Sequence, residues 1–214
     1  MQHETRYGAT LIFGSAVLLV MGMIHPSAIP LGNGAALARL AVIDGVAHGL
    51  AILGIWLVLV GLVGLSRMLG LQRATVLAAL VAFALVGVAV VIAATLDGFV
   101  VPGLAVQWQS ANDITRDNLR QLILFCVLVA SSLTRIYLLL GVIAVGLWSW
   151  VIYRDRLSRS LIWVGVVVVC AGIATFFGGP AYVSVHELLA LVAGQAVWLI
   201  LAGMLMIRRG FATG

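Results

Sequence analysis

Six ionisable residues lie within or at the borders of long apolar stretches of this 214-residue chain. Such residues are costly to place in a lipid-facing position, so they tend to mark binding or catalytic sites. Their side chains are of the types that hold metal ions, protons or anions. The six are His25, Asp44, His48, Asp97, Arg135 and His186.

The histidines and acids suggest a metal or haem centre. Imidazole nitrogen suits zinc, copper, iron and nickel, and a carboxylate is a common further ligand or orients a ligating ring. We therefore expect His25, His48 and His186 to converge as ligands of a transition metal, with Asp97 or Asp44, or two of these histidines to hold a haem iron axially. The pattern leaves redox chemistry, metal handling and metal-assisted hydrolysis open, and with them whether the protein is an enzyme.

The most specific local pair is formed by Asp44 and His48. Residues four positions apart lie on one face of a helix, so the carboxylate can contact and orient the imidazole. Arg135 has a planar guanidinium group that binds carboxylates and phosphates. We expect it to pair with Asp97, or to bind an anionic group such as a lipid phosphate, a substrate carboxylate or a haem propionate.

Two other classes of function fit the same residues. One is a transporter or binding protein for a small solute or a lipid, in which Arg135 meets an anion and the histidines carry protons. The other is an accessory subunit that packs against a larger membrane complex or forms a homo-oligomer. No protease, kinase, nucleotide-binding or CxxC motif occurs in the sequence.

The composition places these residues in a membrane protein. Hydrophobic residues make up 64% of the chain and charged residues 9%, against roughly 45–50% and 25% in soluble domains. Six uncharged runs each approach or reach the ~20 residues that span a bilayer. They predict an all-α, polytopic bundle of six transmembrane helices that forms one domain over residues 1–214. The runs are 8–24, 49–65, 76–96, 136–152, 161–177 and 188–207.

The basic residues predict the orientation, and all twelve of them are arginine. With a cytoplasmic N-terminus, eight arginines fall on the inner side and three outside, as the positive-inside rule requires. We therefore expect a multi-pass protein of a bacterial-type inner membrane with both termini in the cytoplasm. No basic tract suggests nucleic acid, and the expected partner is the lipid bilayer.

This topology places the ionisable residues at a common depth. Counted from the inner end of each span, they lie roughly 17–21 positions outward, or ~25–32 Å at ~1.5 Å per residue. All therefore belong near the outer boundary. We expect outer loops around Pro26–Ala38, Pro102–Asp117 and Gly178–Ser184, and a helical extension of the fourth span over residues 118–131. Trp148, Trp150 and Trp163 are expected in the aromatic belt at the inner boundary.

Overall fold

The structure is a computed structural model that describes residues 2–24, 34–178 and 185–212, and all regular elements in these ranges are helices. Side chains of residues 34–38 and 185–189 are outside this description. A π-helical turn, Leu96–Val100, joins the third helix to the fourth. The helices are α1 Gln2–Ile24, α2 Gly34–Leu69, α3 Ala74–Thr95, α4 Val101–Ser110, α5 Asp113–Arg154, α6 Arg159–Gly178 and α7 Val185–Ala212.

The described residues contain six helices that are long and apolar enough to cross a membrane. Five of them lie within α1, α2, α5, α6 and α7. The sixth runs without interruption from α3 through the π-helical turn to the end of α4, over Ala74–Ser110. The prediction of an all-helical fold with six candidate spans is confirmed for the described residues, and six such helices are typical of a multi-pass membrane protein.

The helices form a ring that follows the order of the chain. α1 packs against α2 and α7, α2 packs against α3, α3 packs against α5, and α6 lies between α5 and α7. Short connections favour antiparallel neighbours, which is why successive spans are adjacent. The ring closes where α1 meets α7, so side chains on the inner faces of the helices share one interior.

Polar contacts join the helix ends at one end of the ring, which we name the arginine-rich end. Arg67 at the end of α2 donates a hydrogen bond to the Tyr7 hydroxyl of α1 at 3.3 Å. Arg73, just before α3, contacts Asp155 after α5 at 2.6 Å. These helix ends are the ones that the distribution of arginines assigns to one side of the membrane.

The interior near this end contains two buried tryptophans. Trp148 is fully buried and its indole N–H donates to the Ser66 hydroxyl at 3.2 Å. It stacks on Trp198, whose own N–H donates to Ser149 at 3.1 Å. The prediction that Trp148 belongs to the aromatic belt is wrong, because a hydroxyl inside the bundle satisfies the N–H that would otherwise need the interface.

The opposite end differs from the predicted loop around Pro102–Asp117. The chain remains helical through Pro102 to Ser110. Proline is tolerated because it stands in the first turn of α4, where the preceding π-helical turn already changes the hydrogen-bonding register. The predicted helical extension of the next span is present, since α5 begins at Asp113 and the Asn112 side chain caps it by accepting from the Thr115 N–H at 3.0 Å.

Candidate functional site

His48 stands between two carboxylates on the inner face of α2. Its Nδ1 lies 2.9 Å from the backbone carbonyl oxygen of Asp44 and 3.1 Å from the Oδ1 atom of the same residue. Its Nε2 lies 3.3 Å from Oδ2 of Asp97. Asp44 is 7% exposed and His48 is 5% exposed, so both are buried. Each ring nitrogen therefore faces an oxygen acceptor.

The local structure explains how the sequence brings these groups together. Asp44 and His48 are one helical turn apart on α2, as their spacing predicted. Asp97 reaches the imidazole from the π-helical turn, where the extra residue per turn rotates the side chains that follow. Gly98 is required beside it, because a Cβ atom at this position would overlap the His48 side chain.

The contacts constrain the charge of the group formed by Asp44, His48 and Asp97, which we name the acidic cluster. A neutral imidazole has one N–H, so the ring donates toward both sides only when it is protonated. The acidic cluster therefore contains two carboxyl groups and one imidazole, so its own acidic groups outnumber its basic group.

A cavity of about 190 Å³ opens beside the acidic cluster, inside the ring of helices. Its wall comes from α1, α2, α3, the π-helical turn, α5 and α7, and most of it consists of aliphatic side chains. Asp97 lines this cavity and has 41% of its side chain exposed. The polar residues in the wall are His48, Asp97, Thr134 and Tyr137.

The wall of the cavity extends over about two turns of helix along the ring axis. It includes residues between positions 48 and 55 of α2, 89 and 97 of α3 and the π-helical turn, and 130 and 137 of α5. Seven residues of helix correspond to a rise of ~10 Å. The acidic cluster lies at the end away from the arginine-rich end, and Tyr137 comes from a level about two turns closer to it.

Tyr137 is held by a buried glutamine of α7. Its hydroxyl donates to Oε1 of Gln195 at 2.7 Å, and Gln195 is 5% exposed. The Nε2 atom of this amide has no hydrogen-bond partner among the described residues. It lies against Gly141 of α5, where an added Cβ would be 2.7 Å away. The pair forms a second polar position within the ring.

The structure places the predicted site residues as follows. Asp44, His48 and Asp97 meet, whereas Arg135 is an exposed residue of α5 and its neighbours Leu133 and Thr134 form the cavity wall instead. Asp97 pairs with His48. His25 lies outside the described residues, and His186 belongs to α7 with its side chain outside the description.

Within the ranges that the structure describes, no group of three His, Cys, Asp or Glu side chains is arranged to hold a metal ion. A ligating nitrogen must present a lone pair to the metal, and here both nitrogens of His48 face oxygen acceptors. Metal or haem binding by His25, His48 and His186 with Asp97 and Asp44 stays a prediction. So does binding of a cofactor by Arg135.

Sequence reasoning missed Tyr137, Gln195 and Gly98. Gln195 had a usable signal, since it is the one strongly polar side chain in the apolar run 188–207, and a lone amide in a span usually faces the protein interior. Gly98 and Pro102 close to Asp97 also indicated irregular helix geometry. Tyr137 had no distinguishing signal, because tyrosine is common in membrane helices.

Comparison with known proteins gives no match: no protein-family model matches the chain, and no curated protein and no solved structure matches it either. The chemistry of the site therefore has to be read from its own residues.

The acidic cluster predicts coupling between Asp44 and His48. His48→Gln removes the imidazole that stands between the two carboxylates, so Asp44→Asn should cost less in that background than in the wild type. The expected interaction energy is about 0.5–3 kcal/mol, measured as the free energy of unfolding in reversible SDS titrations of detergent-solubilised protein. Asp155→Asn at the arginine-rich end is the control partner. If the losses of unfolding free energy in Asp44→Asn and His48→Gln simply add in the double variant, the contact between the two side chains does not contribute to stability.

Proposed function

We propose that this protein binds a small, mainly apolar molecule that carries one cationic group, within the ring of helices, as the binding step of a transporter or membrane-bound binding protein. The observation that supports this is the combination of an aliphatic cavity wall with an acidic cluster at one end. Binding sites for small molecules are mostly apolar, with a few polar groups that fix the orientation of the ligand.

The charge of the cluster favours a cation over an anion. Asp97 is the carboxylate that lines the cavity, and it is more exposed than the buried Asp44. An ammonium group placed near it would be attracted by the Asp97 carboxylate in surroundings of low dielectric constant, where charge interactions are stronger than in water. A carboxylate or phosphate would meet repulsion at the same position.

The cavity volume limits the size of the ligand. An engineered apolar cavity of about 150 Å³ holds benzene, and the cavity here is about 190 Å³. One six-membered ring with a short substituent, or a short alkyl chain, fits this space. Aliphatic walls from five helices would remove most of the ligand's apolar surface from water, at roughly 25 cal/mol per Å².

A matched series of ligands tests the proposal. Benzylamine, benzyl alcohol, toluene and benzoate have similar size and differ in charge and polarity. We expect benzylammonium to bind most tightly and benzoate most weakly, because the acidic cluster attracts the first and repels the second. Binding is measured by isothermal titration calorimetry of the protein in nanodiscs, with empty nanodiscs subtracted.

Asp97→Asn should remove the preference for benzylammonium over benzyl alcohol and leave toluene binding nearly unchanged. Asp113→Asn is the matched control, because that carboxylate is fully exposed at the start of α5. Equal affinities across the series in the wild-type protein, or an undiminished preference in Asp97→Asn, would contradict the proposed site.

We further propose that the protein resides in a bacterial-type inner membrane with both termini in the cytoplasm. The argument rests on the arginines. The arginine-rich end contains the N-terminal part of α1 and the C-terminal parts of α2, α5 and α7, and eight of the twelve arginines belong to it or to its short connections. Such an excess is typical of the cytoplasmic side.

Reporter fusions test this orientation. Green fluorescent protein fused after Gly214 should fluoresce, because it folds in the cytoplasm, and alkaline phosphatase at the same point should be inactive. Fused at Ala111, between α4 and α5, the phosphatase should be active. The reverse pattern at the two positions would overturn the proposed topology.

A further inference from the structure

The cavity has polar groups at both of its ends. Asp97 and His48 are at one end, and Tyr137 enters from helix positions ~10 Å closer to the arginine-rich end. Between these levels the wall is aliphatic, with residues such as Ala51, Ala93 and Leu133. The hydroxyl of Thr134 also lies in this region, but it donates to the Ala130 carbonyl oxygen at 3.0 Å.

Tyr137 retains hydrogen-bonding capacity after its contact with Gln195. A phenolic hydroxyl has one proton and two lone pairs, and the proton is donated to Gln195 Oε1. The oxygen can therefore accept a hydrogen bond from a ligand. Because Gln195 is the acceptor, it fixes the direction of the Tyr137 O–H bond and thereby the direction of the lone pairs.

Gln195 itself is not part of the cavity wall, and its Nε2 atom is buried against Gly141. It holds Tyr137 from behind the wall, so the Tyr137 oxygen is the polar atom of this pair that belongs to a residue of the wall. A neutral donor such as a hydroxyl matches a lone pair of this oxygen.

From these positions we infer that the ligand is bifunctional: a primary amine at the acidic cluster and a hydroxyl group at Tyr137, joined by a short apolar chain. This rests on the proposed function, since it assumes that the cavity binds a cation beside Asp97. An extended chain gains a little over 1 Å per carbon–carbon bond of ~1.5 Å. The two levels are ~10 Å apart, and the side chains and the two hydrogen bonds cover part of this distance. A chain of about six carbons covers the remainder.

A pair of ligands of equal length tests this assignment. Heptylamine and 6-amino-1-hexanol have the same number of heavy atoms, and the second replaces the terminal methyl by a hydroxyl. Wild-type protein in nanodiscs should bind the amino alcohol at least as tightly as heptylamine, although the alcohol partitions less into lipid. Propylamine and ethanolamine, which are too short to reach Tyr137, should show no gain from the hydroxyl.

Tyr137→Phe should weaken 6-amino-1-hexanol binding about tenfold, the loss of one hydrogen bond, and leave heptylamine within a factor of two. Tyr153→Phe is the matched control, because this tyrosine is exposed at the other end of α5. The inference is overturned if both ligands weaken equally in Tyr137→Phe, or if wild-type protein binds heptylamine more tightly than the amino alcohol.

The two failures are distinguishable. If heptylamine binds and responds to Asp97→Asn but the hydroxyl has no effect, the proposed function stands and the bifunctional ligand is wrong. If neither amine binds to the wild-type protein, both are wrong. The comparison of the two ligands in wild-type protein needs no variant, so it tests the bifunctional ligand even if Tyr137→Phe fails to fold.

Discussion

Burial of charged groups inside an apolar bundle is the constraint on which this structure depends. Asp44 and His48 are almost entirely enclosed by a chain in which 64% of residues are hydrophobic. A buried carboxylate is tolerated when an opposite charge or a hydrogen-bond donor stands beside it. The one-turn spacing on α2 supplies such a partner for Asp44, and the π-helical turn supplies a second carboxylate to the same ring. At Gly98 the π-helical turn packs so closely against His48 that there is no space for a Cβ atom.

The two ends of the ring differ in packing. Toward the arginine-rich end, glycines allow close approach of the helices: a Cβ at Gly61 would lie 2.7 Å from the Cα of Leu11, and one at Gly64 would overlap Tyr7. Two tryptophans fill the interior there and satisfy each N–H with a serine hydroxyl. The other half of the ring has alanines where the cavity lies. The helices are therefore closely packed in one half of the ring, and this packing supports the walls of the cavity in the other half.

The sequence was sufficient to predict the six candidate spans and the pairing of Asp44 with His48, because hydropathy and helical spacing are local properties. It was insufficient to establish the contact between Asp97 and His48, because hydropathy gives neither the rotation of a helix about its axis nor its neighbours in a ring. The π-helical turn was also not predicted, although Gly98 and Pro102 indicated irregular geometry: it continues a helix that the proline was expected to end. Trp148 shows the same limit, because its position suited a membrane interface and only the neighbouring Ser66 reveals that it faces inward.

The most direct measurement is a crystal structure of the protein grown with 4-bromobenzylamine, in which anomalous scattering locates the bromine. The expected result is one strong peak inside the ring of helices, between α2, α3 and α5, with the ammonium group at Asp97 and the bromine directed toward Tyr137. A peak on the lipid-facing surface, or a ring interior in which His48 is turned away from Asp97 and no cavity is present, would contradict the assignment of this site.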